Sequence, residues 1–220
     1  MQYGVTMFMT DRTIGPAALA RAVEERGLHS LYIPEHTHIP VSRRTPPPTG
    51  DAELKDEYKR TLDPLVALAV AAGVTERILL GTGIALIAQR EPIVTAKAIA
   101  TLDRESQGRF VLGIGFGWNE DELEDHGFSM PQRRDVTRER MLAMRELWTQ
   151  DVAEFHGEYV DLAPSWSWPK PYGAPERPGP PVLIGGAAGP KMFAHIAEYA
   201  DGWIPIGGDR KSTRLNSSHL

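Results

Sequence analysis

The sequence predicts an α/β fold, a parallel barrel of the (β/α)8 type, and three observations carry that expectation. Short apolar runs alternate with helical stretches, and no hairpin signal separates the first four such units. The runs are apolar on both faces, as parallel strands covered on either side require. Glycine (21) and proline (18) are plentiful among the 220 residues, which suits many tight strand-to-helix turns better than disorder.

Residues 3–9 (YGVTMFM) form the first expected strand, and a polar turn leads into a helix over residues 16–26. There Leu19, Ala22, Val23 and Arg26 fall at helical spacing and Gly27 closes the C-terminus. Residues 31–34 (LYIP) read as the second strand, which ends in Glu35, His36, Thr37 and His38. Residues 39–60 hold Pro46, Pro47, Pro48 and Gly50 among mixed charges, and are expected to form a surface excursion. Asp63 then suits an N-cap and Pro64 a first helical position, with Leu65, Leu68, Ala69 and Ala72 on one face and Gly73 as terminator. Residues 78–87 (ILLGTGIALI) read as one buried third strand, and Glu91 with Pro92 opens a helix that runs to Gly108.

Residues 109–119 (RFVLGIGFGWN) form the fourth strand and the most informative stretch. Gly113, Gly115 and Gly117 recur at a spacing of two, so one face of that strand carries no side chains and leaves room for something flat or bulky. A phosphate-binding G-x-G-x-x-G loop is a poor match, because its third glycine falls at Trp118 and the following helix opens with Glu120, Asp121 and Glu122. A longer helical region follows, with Met141, Met144 and Trp148 on one face, and then a glycine-centred hairpin over residues 154–162. Residues 164–180, with six prolines and two tryptophans, suggest an extended loop. Residues 181–186 (PVLIGG), a helix over 190–200 and residues 202–206 (GWIPI) complete six strand-helix units.

A TIM-type barrel has eight units in about 250 residues, so the expectation is a single domain over residues 1–208 that is truncated after about six. Residues 209–219 (DRKSTRLNSSH) are polar and aperiodic, and they resemble the in-frame translation of a short-read sequencing adapter. Residues 209–220 are therefore expected to be a non-native tail. The formal charge of -5 argues against nucleic acid as a partner. No apolar run approaches the about eighteen residues of a membrane span, no secretory leader pattern stands at Met1, and the expectation is a cytoplasmic enzyme. The absence of cysteine excludes disulfides and thiol chemistry.

With the strands placed, three stretches resemble the luciferase-like superfamily of flavin- and deazaflavin-dependent oxidoreductases, and most closely its branch that uses coenzyme F420. They are YIPEHTHIP (32–40), ILLGTGIALIAQREPIVTAKAIATLDRESQGRFVLGIGFGWNEDEL (78–123) and PVLIGGAAGPKMFAHIAEYADGW (181–203). The resemblance implies a (β/α)8 barrel with the coenzyme ring in the mouth at the C-terminal ends of the strands. It implies hydride transfer between F420 and a small organic substrate, with an FMN-dependent monooxygenase as the alternative, and a homodimer at full length. It also implies a non-prolyl cis peptide between Gly83 and Ile84, a coenzyme wall at Gly115 and Gly117, and a catalytic or coenzyme-contacting role for His36. Glu35, Phe116, Trp118 and Asn119 are the implied substrate pocket. For the coenzyme phosphate, Gly185, Gly186, Ala187 and Lys191 are the candidates, since a small-residue turn before a helix offers free N–H groups to an anion. Branches that oxidise sugar phosphates carry a glutamate where Trp118 stands, so that activity is not expected.

A metal-dependent hydrolase is an alternative of another class, prompted by His36 and His38 sharing a face. It requires a further ligand at a strand end, whereas His126, His156 and His195 fall in helices or insertions, and no metal is assigned. A coenzyme-binding fragment without turnover is the remaining alternative.

Overall fold

The computed structural model describes residues 1–46 and 53–205. Pro47, Pro48, Gly50, Ile206 and the tail over residues 209–220 lie outside the described residues. In chain order the elements are β1 (Gly4–Thr6), α1 (Pro16–Glu25), β2 (Ser30–Ile33), α2 (Pro64–Ala72), β3 (Leu79–Thr82), α3 (Pro92–Glu105) and β4 (Phe110–Ile114). They continue with α4 (Glu120–Asp125), α5 (Arg133–Thr149), β5 (Ala153–His156), β6 (Asp161–Ser165), β7 (Val182–Gly186), α6 (Pro190–Tyr199) and β8 (Gly202–Pro205).

Six strands form one sheet in the order β1-β2-β3-β4-β7-β8, and every neighbouring pair is parallel. This is the strand order of a (β/α)8 barrel through six of its units. The expected hairpin is the antiparallel pair β5-β6, inserted between α5 and β7. The strands carry Leu31, Ile33, Leu80, Phe110, Leu112, Ile114 and Ile184 into one core with Leu68, Ile99, Met141 and Met144 from the helices. Burial of each such side chain contributes about 1.5–3 kcal/mol. The helix starts follow their expected chemistry: Asp63 accepts from the Val66 N–H at 3.0 Å, and Glu91 accepts from the N–H groups of Ile93 and Val94.

Four sequence expectations require correction. The third strand does not run through residue 87, because β3 ends at Thr82 and the chain turns at a cis Gly83–Ile84 peptide. Ala85 alone regains a bridge to Ile114, and a short 3-10 turn covers Ile87–Gln89. The first strand is only Gly4–Thr6. The helical region after Asn119 is two helices, α4 and α5, parted where Gly127 takes a positive φ of 86°. The excursion over residues 39–60 is not wholly a surface feature: Leu54 is buried, and Tyr58 reaches the cavity described next.

Candidate active site

A cavity of about 440 Å³ opens at the C-terminal ends of the strands. Its inner wall is formed by Gly83, Ile84, Leu86 and Gly115, and its mouth by Phe8, His36, Tyr58 and Trp118. Its far end is formed by Arg133, Arg134, Gly185, Gly186, Ala187 and Met192. Strand ends and the loops after them thus bring residues more than a hundred positions apart to one place, as the barrel architecture dictates.

β4 ends at Ile114, short of the expected residue 119, so only Gly113 lies in the strand, and the three glycines make space in a way that the spacing alone does not indicate. A methyl at Gly113 would lie 2.0 Å from the Thr82 carbonyl oxygen, so this position serves the close approach of β3 and not the cavity. A methyl at Gly115 would lie 2.3 Å from the Ile84 side chain, which fills part of the bare face. Gly117, at φ +74°, is the residue whose backbone needs glycine, and it turns the chain toward Trp118.

At the mouth, Trp118 stands edge-on to both His36 and Tyr58, with ring centroids 5.8 and 6.2 Å away. Phe8 packs on Tyr58 at 4.7 Å. The His36 ring is held by Glu122, whose carboxylate oxygens lie 2.9 and 3.1 Å from Nδ1. The Thr61 hydroxyl donates to the His36 carbonyl at 2.7 Å.

Glu35 lines the cavity, but its carboxylate is committed within the chain. It accepts from the Leu86 N–H at 2.7 Å and from Arg90 Nε at 2.7 Å, and so it props the turn that follows the cis peptide. Burial works against the Arg90 guanidinium, yet Glu35 and Asp63 outweigh it and raise its pKa above the usual arginine value. Asn119 does not line the cavity. Its side chain is buried as the N-cap of α4 and accepts from the Glu122 N–H at 3.5 Å, because a strand-to-helix turn needs a cap there. Phe116 is buried but does border the cavity, under the Arg134 guanidinium at 4.3 Å.

At the far end, Gly185, Gly186 and Ala187 stand where expected, but Lys191 is exposed and is not part of the lining. The cations present are Arg133 and Arg134, which the sequence reading did not single out. Arg133 Nε and Arg134 Nη1 are buried with no hydrogen-bond partner, and neither residue pairs with a carboxylate among the described residues. Burial, then the neighbouring Arg134, lowers the pKa of Arg133. His126 also departs from expectation: it lies against Thr37 and His38 near the end of β2, with its Nε2 2.9 Å from Thr37 Oγ1. Among the described residues no group of three or more His, Asp or Glu side chains is arranged to hold a metal ion. No helix among them is long and apolar enough to cross a membrane.

Comparison with known proteins identifies the family and the fold. Residues 16–219 match the family model described as luciferase-like monooxygenase. The chain is 53% identical over 211 residues to the uncharacterized protein Rv0953c of Mycobacterium tuberculosis, covering 95% of this chain and 73% of that protein. It is 28% identical over 211 residues to the F420-dependent hydroxymycolic acid dehydrogenase of the same organism, covering 94% of this chain and 52% of that one. The crystal structure of monooxygenase RslO1 from Streptomyces bottropensis superposes with a TM-score of 0.79 at 25% identity. That superposition covers 99% of this chain and 63% of RslO1, so the chain spans less than two thirds of that protein.

Proposed function

The chain belongs to the luciferase-like monooxygenase family, and from that premise we propose that it is an oxidoreductase using the deazaflavin coenzyme F420 on a small organic substrate. The observation that carries the proposal is the pair of buried, unpartnered arginine nitrogens at one end of a cavity whose other end presents a carboxylate-backed histidine. A cavity with a cationic end and a glycine-lined wall fits a coenzyme that has a flat ring and an anionic side chain. A buried guanidinium N–H without an acceptor is costly, so such a site favours an anion.

In this proposal Arg133 and Arg134 hold the anionic side chain, with the N–H groups of the turn from Gly185 to the start of α6 beside them. Gly83, Ile84 and Gly115 form the wall for the ring. When bound, the coenzyme supplies the hydride chemistry, and the chain supplies binding, orientation and exclusion of water. Trp118, Tyr58 and Phe8 present apolar faces to the substrate, and His36 holds or moves a proton at Nε2. A flat or apolar carbonyl or alcohol suits that mouth better than a sugar phosphate, since Trp118 stands where the sugar-phosphate branches have an acid.

The similarity to the monooxygenase RslO1 favours a second reading, a monooxygenase on the same scaffold, for which the sequence resemblance implies reduced FMN as the coenzyme. Spectroscopic titration of each coenzyme into the protein separates the two: saturable F420 binding supports the proposal, and tight FMN binding with no F420 binding overturns it. On the same proposal the whole protein is a homodimer, supported by the exposed Val66 and Val70 on α2 beside Ile93 and Val94 on α3. A sedimentation mass of one chain at micromolar concentration would refute that part.

A further inference from the structure

We infer that Glu122 is a positioning residue that holds His36 in its Nδ1-protonated tautomer, so that Nε2 is the ring atom exchanging a proton with substrate. The inference rests on the redox proposal above for its purpose, but not for its geometry. Both Glu122 carboxylate oxygens lie within 3.1 Å of His36 Nδ1, and the two side chains are 1% and 7% exposed. A carboxylate so buried needs a donor, and among the described residues this imidazole is the one in ion-pair contact with it, while His126 feels its charge from farther off. Because an ionised carboxylate only accepts, Nδ1 must carry a hydrogen. The tautomer of a histidine is set by the bond its other nitrogen makes. Nε2 takes no hydrogen bond from any described residue, and His36 borders the cavity.

The surroundings leave Glu122 as the charged group in direct contact with the ring. Glu35, next in sequence, is tied to Arg90 and the Leu86 N–H. His38 is engaged by Asp125 and His126 by Thr37. Tyr58 and Trp118 flank the ring at 5.3 and 5.8 Å, and Arg133 and Arg134 border the same cavity. The step this serves balances simply. In an alcohol oxidation the bound coenzyme would supply the hydride acceptor for the C–H electron pair, and the His36 Nε2 lone pair would accept the O–H proton. In the reverse direction the proton returns from Nε2 to the carbonyl oxygen. Had the ring been fixed as the Nε2–H tautomer, it would have no lone pair to offer there.

The test is long-range proton–nitrogen NMR of histidine-labelled protein at alkaline pH, with the His36 ring assigned by its loss in His36→Asn. The expected wild-type spectrum shows Nδ1 protonated and Nε2 bare, and Glu122→Ala shifts the ring to a mainly Nε2-protonated form. A wild-type ring protonated at Nε2, or a folded Glu122→Ala protein whose tautomer is unchanged, overturns the inference. Should the alanine variant not fold, the wild-type spectrum decides alone. No coenzyme is needed, so a failure here is distinct from a failure of the redox proposal.

Discussion

The two ends of the cavity contrast in how their charges are satisfied. At the mouth, His36 is anchored by a buried carboxylate, its backbone by Thr61, and its ring by two aromatic neighbours. At the far end, Arg133 donates one bond to the Met130 carbonyl at 2.6 Å, Arg134 stacks on Phe116, and a nitrogen of each is left buried without a partner. One end is preorganised by the chain itself. The other leaves one guanidinium nitrogen of each arginine without an acceptor, and on the proposed reading the anionic side chain of the coenzyme would take that place.

Removing the cations breaks that contrast with the largest expected effect. A charge-assisted hydrogen bond contributes about 1.5–3 kcal/mol, so Arg133→Ala and Arg134→Ala should each weaken F420 binding by about one to two decades. Fluorescence titration measures this directly. The same variants should melt at close to the wild-type temperature without coenzyme, because both side chains are only half-buried and each removal also deletes a buried N–H that has no acceptor. Unchanged affinity together with a collapsed melting temperature would make these arginines structural and erase the distinction between the ends.

A second comparison sharpens the role of the wall between them. Gly113→Ala sets a methyl against the Thr82 carbonyl, which is fixed in the sheet, and should cost about 1–3 kcal/mol in urea denaturation. Gly115→Ala meets only the Ile84 side chain, which can move into the cavity. Its stability loss should be smaller, and its coenzyme affinity should fall because Ile84 shifts. Equal stability losses at the two sites would mean that Gly115 serves sheet packing alone.

Much of the fold was legible because its determinants are local. Asp63-Pro64 and Glu91-Pro92 announce helix starts, and runs such as VLIGG are apolar on both faces, as strands between two layers must be. The site was legible where it sits at strand ends: His36, Gly83, Ile84, Trp118 and Gly185 all border the cavity. The missed residues lack any such mark. Glu122 is one acid in a run of them, and only the α4 cap at Asn119 and the helical turn bring it inward. Arg133 and Arg134 open a helix rich in arginine, where a cation facing a cavity looks the same in sequence as one facing water. Tyr58 comes from a polar segment whose path back to the barrel no periodicity encodes. Lys191 adjoins the glycine turn in sequence, yet helix geometry leaves it exposed.

The smallest effect concerns pH and isolates Arg134 from Arg133. His195, half-buried 5.2 Å from Phe116, has its pKa lowered from 6.5 by burial first and by Arg134 second, against opposing pulls from Glu198 and Asp135. A depressed folded-state pKa means that the unfolded chain binds the proton more readily. The stabilising contribution is therefore complete above about pH 6.5 and is lost as the pH falls toward the folded value. His126 is depressed in the same sense, while His156 is raised and acts oppositely, so neither distinguishes the two arginines. Arg134→Ala should flatten the acid loss of stability between about pH 7.5 and 5.5, read from urea midpoints, whereas Arg133→Ala should leave the slope as in wild type. If both substitutions flatten it equally, the two arginines act on His195 as one charge cluster, and the far end is a diffuse cationic field without two separately placed donors.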